Sequence, residues 1–364
     1  MTEKSNPLGI FKFNKIIIPI LIGLGVGFFM INREYKQNTS LFYDLGSLFS
    51  TYSLLCLFIA ILFELMREFM YMYRIRLLSD NQLSWKKAFQ IIMLWEFSST
   101  VTPTSIGGSA VALFIIPMEG ISIGKSTAMV MVATLMDELF YIIIAPLTIL
   151  LVGSNAAFAT HFKFSFLGFQ ISELLVFFIG YGFMSLLSIA ILLAMFFFPN
   201  KFRKFLYKLG EKKIFSKKKD KLEKLGDDVL VSSKEFKDKK ALFWLKAYFS
   251  TLLSWTSRFL VLNFVLMAFN TNITTFFDNL LIYCRQLVMW IVLCITPTPG
   301  SSGVAEGAFP LFFHEFLPEG LQGVLALLWR LFTYYPYIIV GVFVLPYWTH
   351  RVYKQRQSKK EQAK

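Results

Sequence analysis

The sequence offers few groups for metal, disulfide or nucleotide chemistry. Three cysteines, Cys56, Cys284 and Cys294, lie in apolar segments without CxxC spacing, and His161, His314 and His350 stand far apart. That pattern gives neither a disulfide framework nor a metal site. HExxH, DxD and P-loop strings are missing too, so a zincin or a phosphate cradle is not expected and no cofactor is implied. Acidic residues are outnumbered, 23 against 37 Lys and Arg, for a formal charge of +14. The excess sits largely in one loop and one tail, which excludes the spread basic surface of a nucleic-acid partner.

What is present is apolar length. Of the 364 residues 55% are hydrophobic, 41 of them Phe, and apolar runs recur from Ile16 almost to the end. The chain reads as an all-α integral membrane protein. Lys4, Lys12 and Lys15 precede the run Ile16 to Ile31 as in a secretion signal, but "INREYK" follows without a small-x-small cleavage site. A retained first helix is expected, extended by Phe11 or Phe13. Spanning segments are expected at Ile16 to Ile31, Leu48 to Met66, Ser126 to Val152, Glu173 to Phe198, Ala247 to Phe269 and Gly320 to Pro346.

Two further apolar stretches, 88–117 and 279–313, are broken by near copies of one motif, "TPTSIGG" from Thr102 and "TPTPG" from Thr296. Ala88 to Thr102 would rise only about 22 Å as helix against a hydrocarbon core of roughly 30 Å. A re-entrant hairpin fits both lengths, and its tip must meet protein or water because Pro and Gly leave backbone groups unpaired. Pro103, Gly107 and Gly108 shape one expected tip, and Pro297, Pro299, Gly300 and Gly303 the other.

Adding 194 lays Thr102, Pro103 and Thr104 on Thr296, Pro297 and Thr298. With three crossings per copy, two copies must be inserted upside down relative to each other, a design of secondary transporters. The expected layout is a first repeat over 1–172, a second over 173–348 and a basic tail over 349–364. From Pro199 to Lys246 there are 16 Lys or Arg against 7 Asp or Glu. This loop, the tail and both termini are expected in the cytoplasm. Phe202, Phe205, Leu206 and Leu209 share one face of a basic helix suited to an anionic leaflet.

Ionisable groups at membrane depth are functional candidates. They are Glu96, Asp137 and Glu138 in the first half, and Arg258, Arg285, Glu306 and Arg330 in the second. The 194 offset lays Glu138 near Arg330 and Glu96 near Arg285, so corresponding positions carry opposite sign. The Arg groups suit a lipid phosphate; the acids would neutralise them, or hold a proton or a cationic headgroup. Glu64, Arg67 and Glu68 are expected to snorkel at a helix end, outside the site.

The stretch "PTPGSSGVAEGAF" from Pro297 to Phe309, with Arg330 beyond it and "PTSIGG" at Pro103, resembles the flippase-like family of the lysylphosphatidylglycerol synthase transmembrane region. The resemblance implies an inner-membrane protein with paired re-entrant segments, without the synthase domain. In the aminoacyl-lipid members it implies translocation of lysylated phosphatidylglycerol between leaflets. It assigns Glu306 and Arg330 as the functional acid and base of the second repeat. The first repeat departs from the family pattern, with Ser109 to Leu113 where an Arg is expected and Asp137-Glu138 where Glu-Arg is expected.

The expectation is a non-enzymatic translocase for a phospholipid or lipid-linked headgroup, with a homo-oligomer left open. The alternatives are a polyprenyl-phosphate or lipid transferase and a scaffold that recruits a partner through its basic loop.

Overall fold

The computed structural model describes residues 13–37, 49–102, 105–158, 163–166, 169–212, 216, 219–294, 296 and 298–362. Phe11, Pro103, His161 and Pro297 lie outside the described residues. Except for a two-stranded ribbon, β1 (Lys163–Phe166) against β2 (Phe169–Ser172), the regular structure among the described residues is helical. Five helical stretches are long and apolar enough to cross a membrane: Ile123–Val152, Glu173–Phe197, Ala241–Phe269, Phe276–Leu293 and Gln322–Gln355. Large side chains such as Phe178, Phe183 and Leu186 remain 57–69% exposed along one such helix, as a lipid-facing surface requires. This is a multi-pass membrane protein.

Helix α1 (Phe13–Gln37) is followed by α2 (Thr51–Leu78), which runs twelve residues beyond the span expected to stop at Met66. Ser50 starts α2 by accepting the Ser53 N–H at 3.1 Å, satisfying one orphan donor of the first turn. Next come α3 (Trp85–Val101) and α4 (Ser105–Met118), then α5 (Ile123–Val152). Thr102 separates α3 from α4, in extended conformation ahead of Pro103, because a residue before proline is driven out of the helical region. The two helices fold back on each other. Lys87 Nζ reaches Glu119 O at 3.1 Å, and a side chain at Gly108 would collide with Ser99.

In the second half α6 (Glu173–Leu192) ends in a π-helical turn, Leu193–Phe197. Two amphipathic helices follow, α7 (Pro199–Glu211) and α8 (Lys219–Lys237); they pack together, and α8 docks on α5. The face expected to meet a leaflet is therefore divided. Leu206 is buried, whereas Phe205 is 57% exposed beside Phe197 and Phe198.

Then come α9 (Ala241–Phe269), α10 (Phe276–Leu293), a 3-10 turn at Pro299–Ser301 and α11 (Val304–Phe313). Arg285 Nη1 donates to Phe312 O at 3.2 Å, so α11 returns alongside α10. The final span, expected as one helix, is interrupted at Tyr334 between α12 (Gln322–Thr333) and α13 (Tyr335–Gln362).

The element order recurs. Adding 194 to the bounds of α3 gives 279–295, against 276–293 observed for α10; α2 falls on α9 and α4 on α11 within five residues. Packing partners exchange in the same way. α2 lies along α9, α1 meets α12 where α6 meets α5, and α3 meets α13 where α10 meets α5.

Candidate functional site

The two broken segments meet. Gly300 is in the left-handed region, φ 56°, and a Cβ there would stand 2.9 Å from Thr100 O on the other hairpin. Without a side chain it lets the turn press against α3. Tyr334 Oη donates to Thr100 O at 3.3 Å and contacts Ser302 Oγ at 3.0 Å. The interruption after α12 thus holds both tips.

Beside this contact lies a cavity of about 630 Å³, lined by Thr100 and Thr102 from one break and by Thr296, Thr298 and Ser301 from the other. α6 contributes an apolar wall that includes Ile179, Phe183 and Leu187. Ile179 and Phe183 are more than half exposed, so the same helix borders both cavity and lipid.

Seven charged side chains line the cavity: Arg67, Arg74, Glu96, Asp137, Glu138, Arg258 and Arg330. Three of the arginines are matched. Arg74 forms a fork on Asp137, 2.5 and 3.1 Å, and Trp255 Nε1 donates to the same carboxylate at 2.9 Å. Arg67 Nη2 donates to Glu96 at 2.9 Å, and its other terminal nitrogen meets Glu64, Glu68 and Tyr337 Oη. Arg330 Nε donates to Glu306 Oε1 at 2.8 Å and its Nη2 to Gly300 O at 2.9 Å.

Charged groups in low dielectric persist when paired with this geometry. Arg258 is different: its guanidinium faces the indoles of Trp290 and Trp255, 4.6 and 5.7 Å from the ring centroids. Neither Arg258 nor Glu138 forms an ion pair among the described residues.

Of the sequence candidates, Glu96, Asp137, Glu138, Arg258, Gly300 and Arg330 therefore share one cavity. Glu306 is fully buried behind Arg330, and its Oε2 accepts the Gly303 N–H at 2.7 Å. Gly107 and Gly108 sit at the start of α4 against Thr102 and Ser99, and Pro299 opens the 3-10 turn. Arg285 is not a cavity residue. It lies toward the other end of α10, bonded to the Ala156 and Phe312 carbonyls and to Glu315.

The expected snorkelling of Glu64, Arg67 and Glu68 is corrected. Arg67 is 1% exposed, because α2 continues to Leu78 and is covered by α9 and α13, whose Tyr337 reaches all three groups. Arg74 carried a readable signal, a basic residue one heptad after Arg67 on the same helical face.

Gly120 to Gly124 has the Gly-x-Ser-x-Gly spacing of a hydrolase nucleophile turn. Its Ser122 is exposed and caps α5, accepting the Lys125 N–H at 3.2 Å. Among the described residues no histidine bonds to it.

A relative in Archaeoglobus fulgidus, called "UPF0104 membrane protein", is 28% identical over 308 residues, 80% of this chain and 86% of that one. No solved structure matches the chain. Residues 16–341 match the family described as the lysylphosphatidylglycerol synthase TM region, and to that family the chain belongs.

Proposed function

We propose that the protein is a translocase, not an enzyme, that carries the headgroup of a phospholipid or lipid-linked molecule between leaflets through this cavity. The observation that carries the reading is the contact of Gly300 with Thr100 at the head of a cavity whose largely apolar wall carries four arginines and three acids. Unpaired backbone at two helix breaks tolerates membrane depth only where it lines such a space.

The hairpins α3–α4 and α10–α11 are then re-entrant. At 1.5 Å per residue α3 is about 26 Å long and α4 about 21 Å, short of a core of roughly 30 Å. α10, about 27 Å long by the same measure, has the composition of a span, but α11 returns beside it. The exchanged packing partners support inverted repeats, since a twofold axis in the membrane plane interchanges such pairs. Both termini and the 199–246 arm then face the cytoplasm at the plasma membrane. There Phe197, Phe198 and Phe205, flanked by exposed Lys201, Lys204 and Lys208, suit an anionic leaflet.

In the proposed cycle the headgroup leaves water for the cavity while its acyl chains stay in lipid along α6. Guanidinium groups replace the hydration of the phosphate. The test is leaflet transfer of a fluorescent-headgroup phospholipid in proteoliposomes. The native chain should exceed protein-free vesicles, and the Glu306→Met/Arg330→Met double variant should not. A native rate equal to that of empty vesicles overturns the function; a wild-type rate in the folded double variant overturns the site.

A further inference from the structure

Within that reading, the pairing of charges points to a more specific cargo. Arg67, Arg74 and Arg330 each have a carboxylate within 2.9 Å, which leaves one cation and one anion on the cavity wall, Arg258 and Glu138. They are not paired with each other, since no ion pair within 4.0 Å joins them. Glu138 Oε2 is shielded from solvent and accepts no hydrogen bond, and the hydroxyl of Tyr141, a cavity residue only 2% exposed, has no partner either.

These groups share one wall. Glu138 and Tyr141 are three residues apart on α5 and so lie on one helix face. The Tyr141 ring meets Trp255 at 5.0 Å, Trp255 meets Trp290 at 5.5 Å, and Arg258 covers Trp290. Both are only partly buried, but an unmatched charge of each sign on a cavity wall at membrane depth is costly, and a ligand bearing the complementary pair removes both penalties at once.

We infer that the cavity selects a zwitterionic headgroup with one phosphate and one amine, the phosphate on Arg258 and Tyr141 and the ammonium on Glu138. A guanidinium held between indoles presents its N–H edge to a phosphate. One carboxylate balances one ammonium, so a headgroup with two amines, such as lysylphosphatidylglycerol, is a poorer match than an aminophospholipid of zero net charge. The inference rests on the lipid-translocation reading for the source of the zwitterion, and binding separates the two.

The experiment follows tryptophan fluorescence of the purified protein in detergent, titrated with dihexanoylphosphatidylethanolamine, dihexanoylphosphatidylglycerol, lysylphosphatidylglycerol and O-phosphoethanolamine. The ethanolamine lipid should bind at least about tenfold more tightly than the glycerol lipid, a difference of about 1.4 kcal/mol. It should also outbind the lysylated lipid. Glu138→Gln should erase the preference over the glycerol lipid, and Arg258→Gln should weaken all four ligands.

Equal affinity for the two dihexanoyl lipids, or a preference untouched by Glu138→Gln, overturns the inference and leaves translocation standing. Tight binding of O-phosphoethanolamine equal to that of the lipid keeps the charge pairing but overturns a lipid as its source. Melting temperature gives an independent reading, because removing an unmatched charge should leave stability unchanged or raised. A clear fall in either variant would mean that the group is satisfied within the chain, and would overturn the assignment.

Discussion

The carboxylate of Glu306 serves two partners at once: Oε1 accepts Arg330 Nε at 2.8 Å, and Oε2 accepts the Gly303 N–H at 2.7 Å. One side chain therefore ties α12 to the tip of the second hairpin and caps α11. Breaking a buried pair from one side strands a charge, at a cost of about 3–5 kcal/mol. Arg330→Met and Glu306→Met should each lower the melting temperature strongly, whereas the double substitution should recover much of the loss. Detergent melting curves check this; additive losses in the double variant would refute the coupling.

Gly300 has no room for a side chain. Alanine there would meet Thr100 O and Tyr334 while adopting φ 56°, a conformation costing about 1–2 kcal/mol for a residue with a Cβ. Gly300→Ala should destabilise the protein and impair leaflet transfer. Gly307→Ala, where nothing lies within 4 Å, should do neither. Equal behaviour of the two variants would show that the protein does not need the close approach of the two tips.

Cys294 ends α10 on the cavity wall, whereas Cys56 and Cys284 are 2% and 0% exposed in the core. A bulky methanethiosulfonate should therefore block transfer by reacting at Cys294, and Cys294→Ser should resist it. Inactivation of the serine variant at the native rate would show that the reagent acts elsewhere.

Asp80, in the turn between α2 and α3, joins Lys125 of α5 at 2.8 Å and Lys239, beyond α8, at 2.5 Å. Burial opposes its charge, but the bonds and charges of both lysines prevail and lower its pKa below the ordinary carboxylate value. Its contribution to stability is thus present above the unfolded pKa of about 4. It is lost as pH falls through the lower folded value. Asp80→Asn should reduce the melting temperature at pH 7 and converge with the native chain in strong acid. A constant difference across that range would exclude the carboxylate as the cause.

Much of the architecture was legible because it is local or periodic. Apolar runs of spanning length, a charged arm between them and Pro-Gly interruptions at Thr102 and Thr296 depend on neighbours in the chain. The spacing of 194 that relates the helices of the two halves was legible because the motif itself recurs. Glu96, Asp137, Glu138, Arg258 and Arg330 stood out because ionisable residues are costly inside apolar segments.

Arg67 shows where this kind of reading stops. With Glu64 one turn before it and Glu68 next to it, Arg67 has the local pattern of a wetted helix end, and only the helices lying against α2 make it interior. Arg285 shows the converse: as isolated in sequence as Arg258, it finds two carbonyls and Glu315 once α11 folds back along α10. Sequence by itself determined which segments suit lipid and which charges need an explanation, since transfer cost and helix length are properties of short stretches. Tertiary structure alone decided which charges neutralise one another and which stay unmatched, because pairing depends on distances between residues as much as 232 positions apart, as for Glu119 and Arg351.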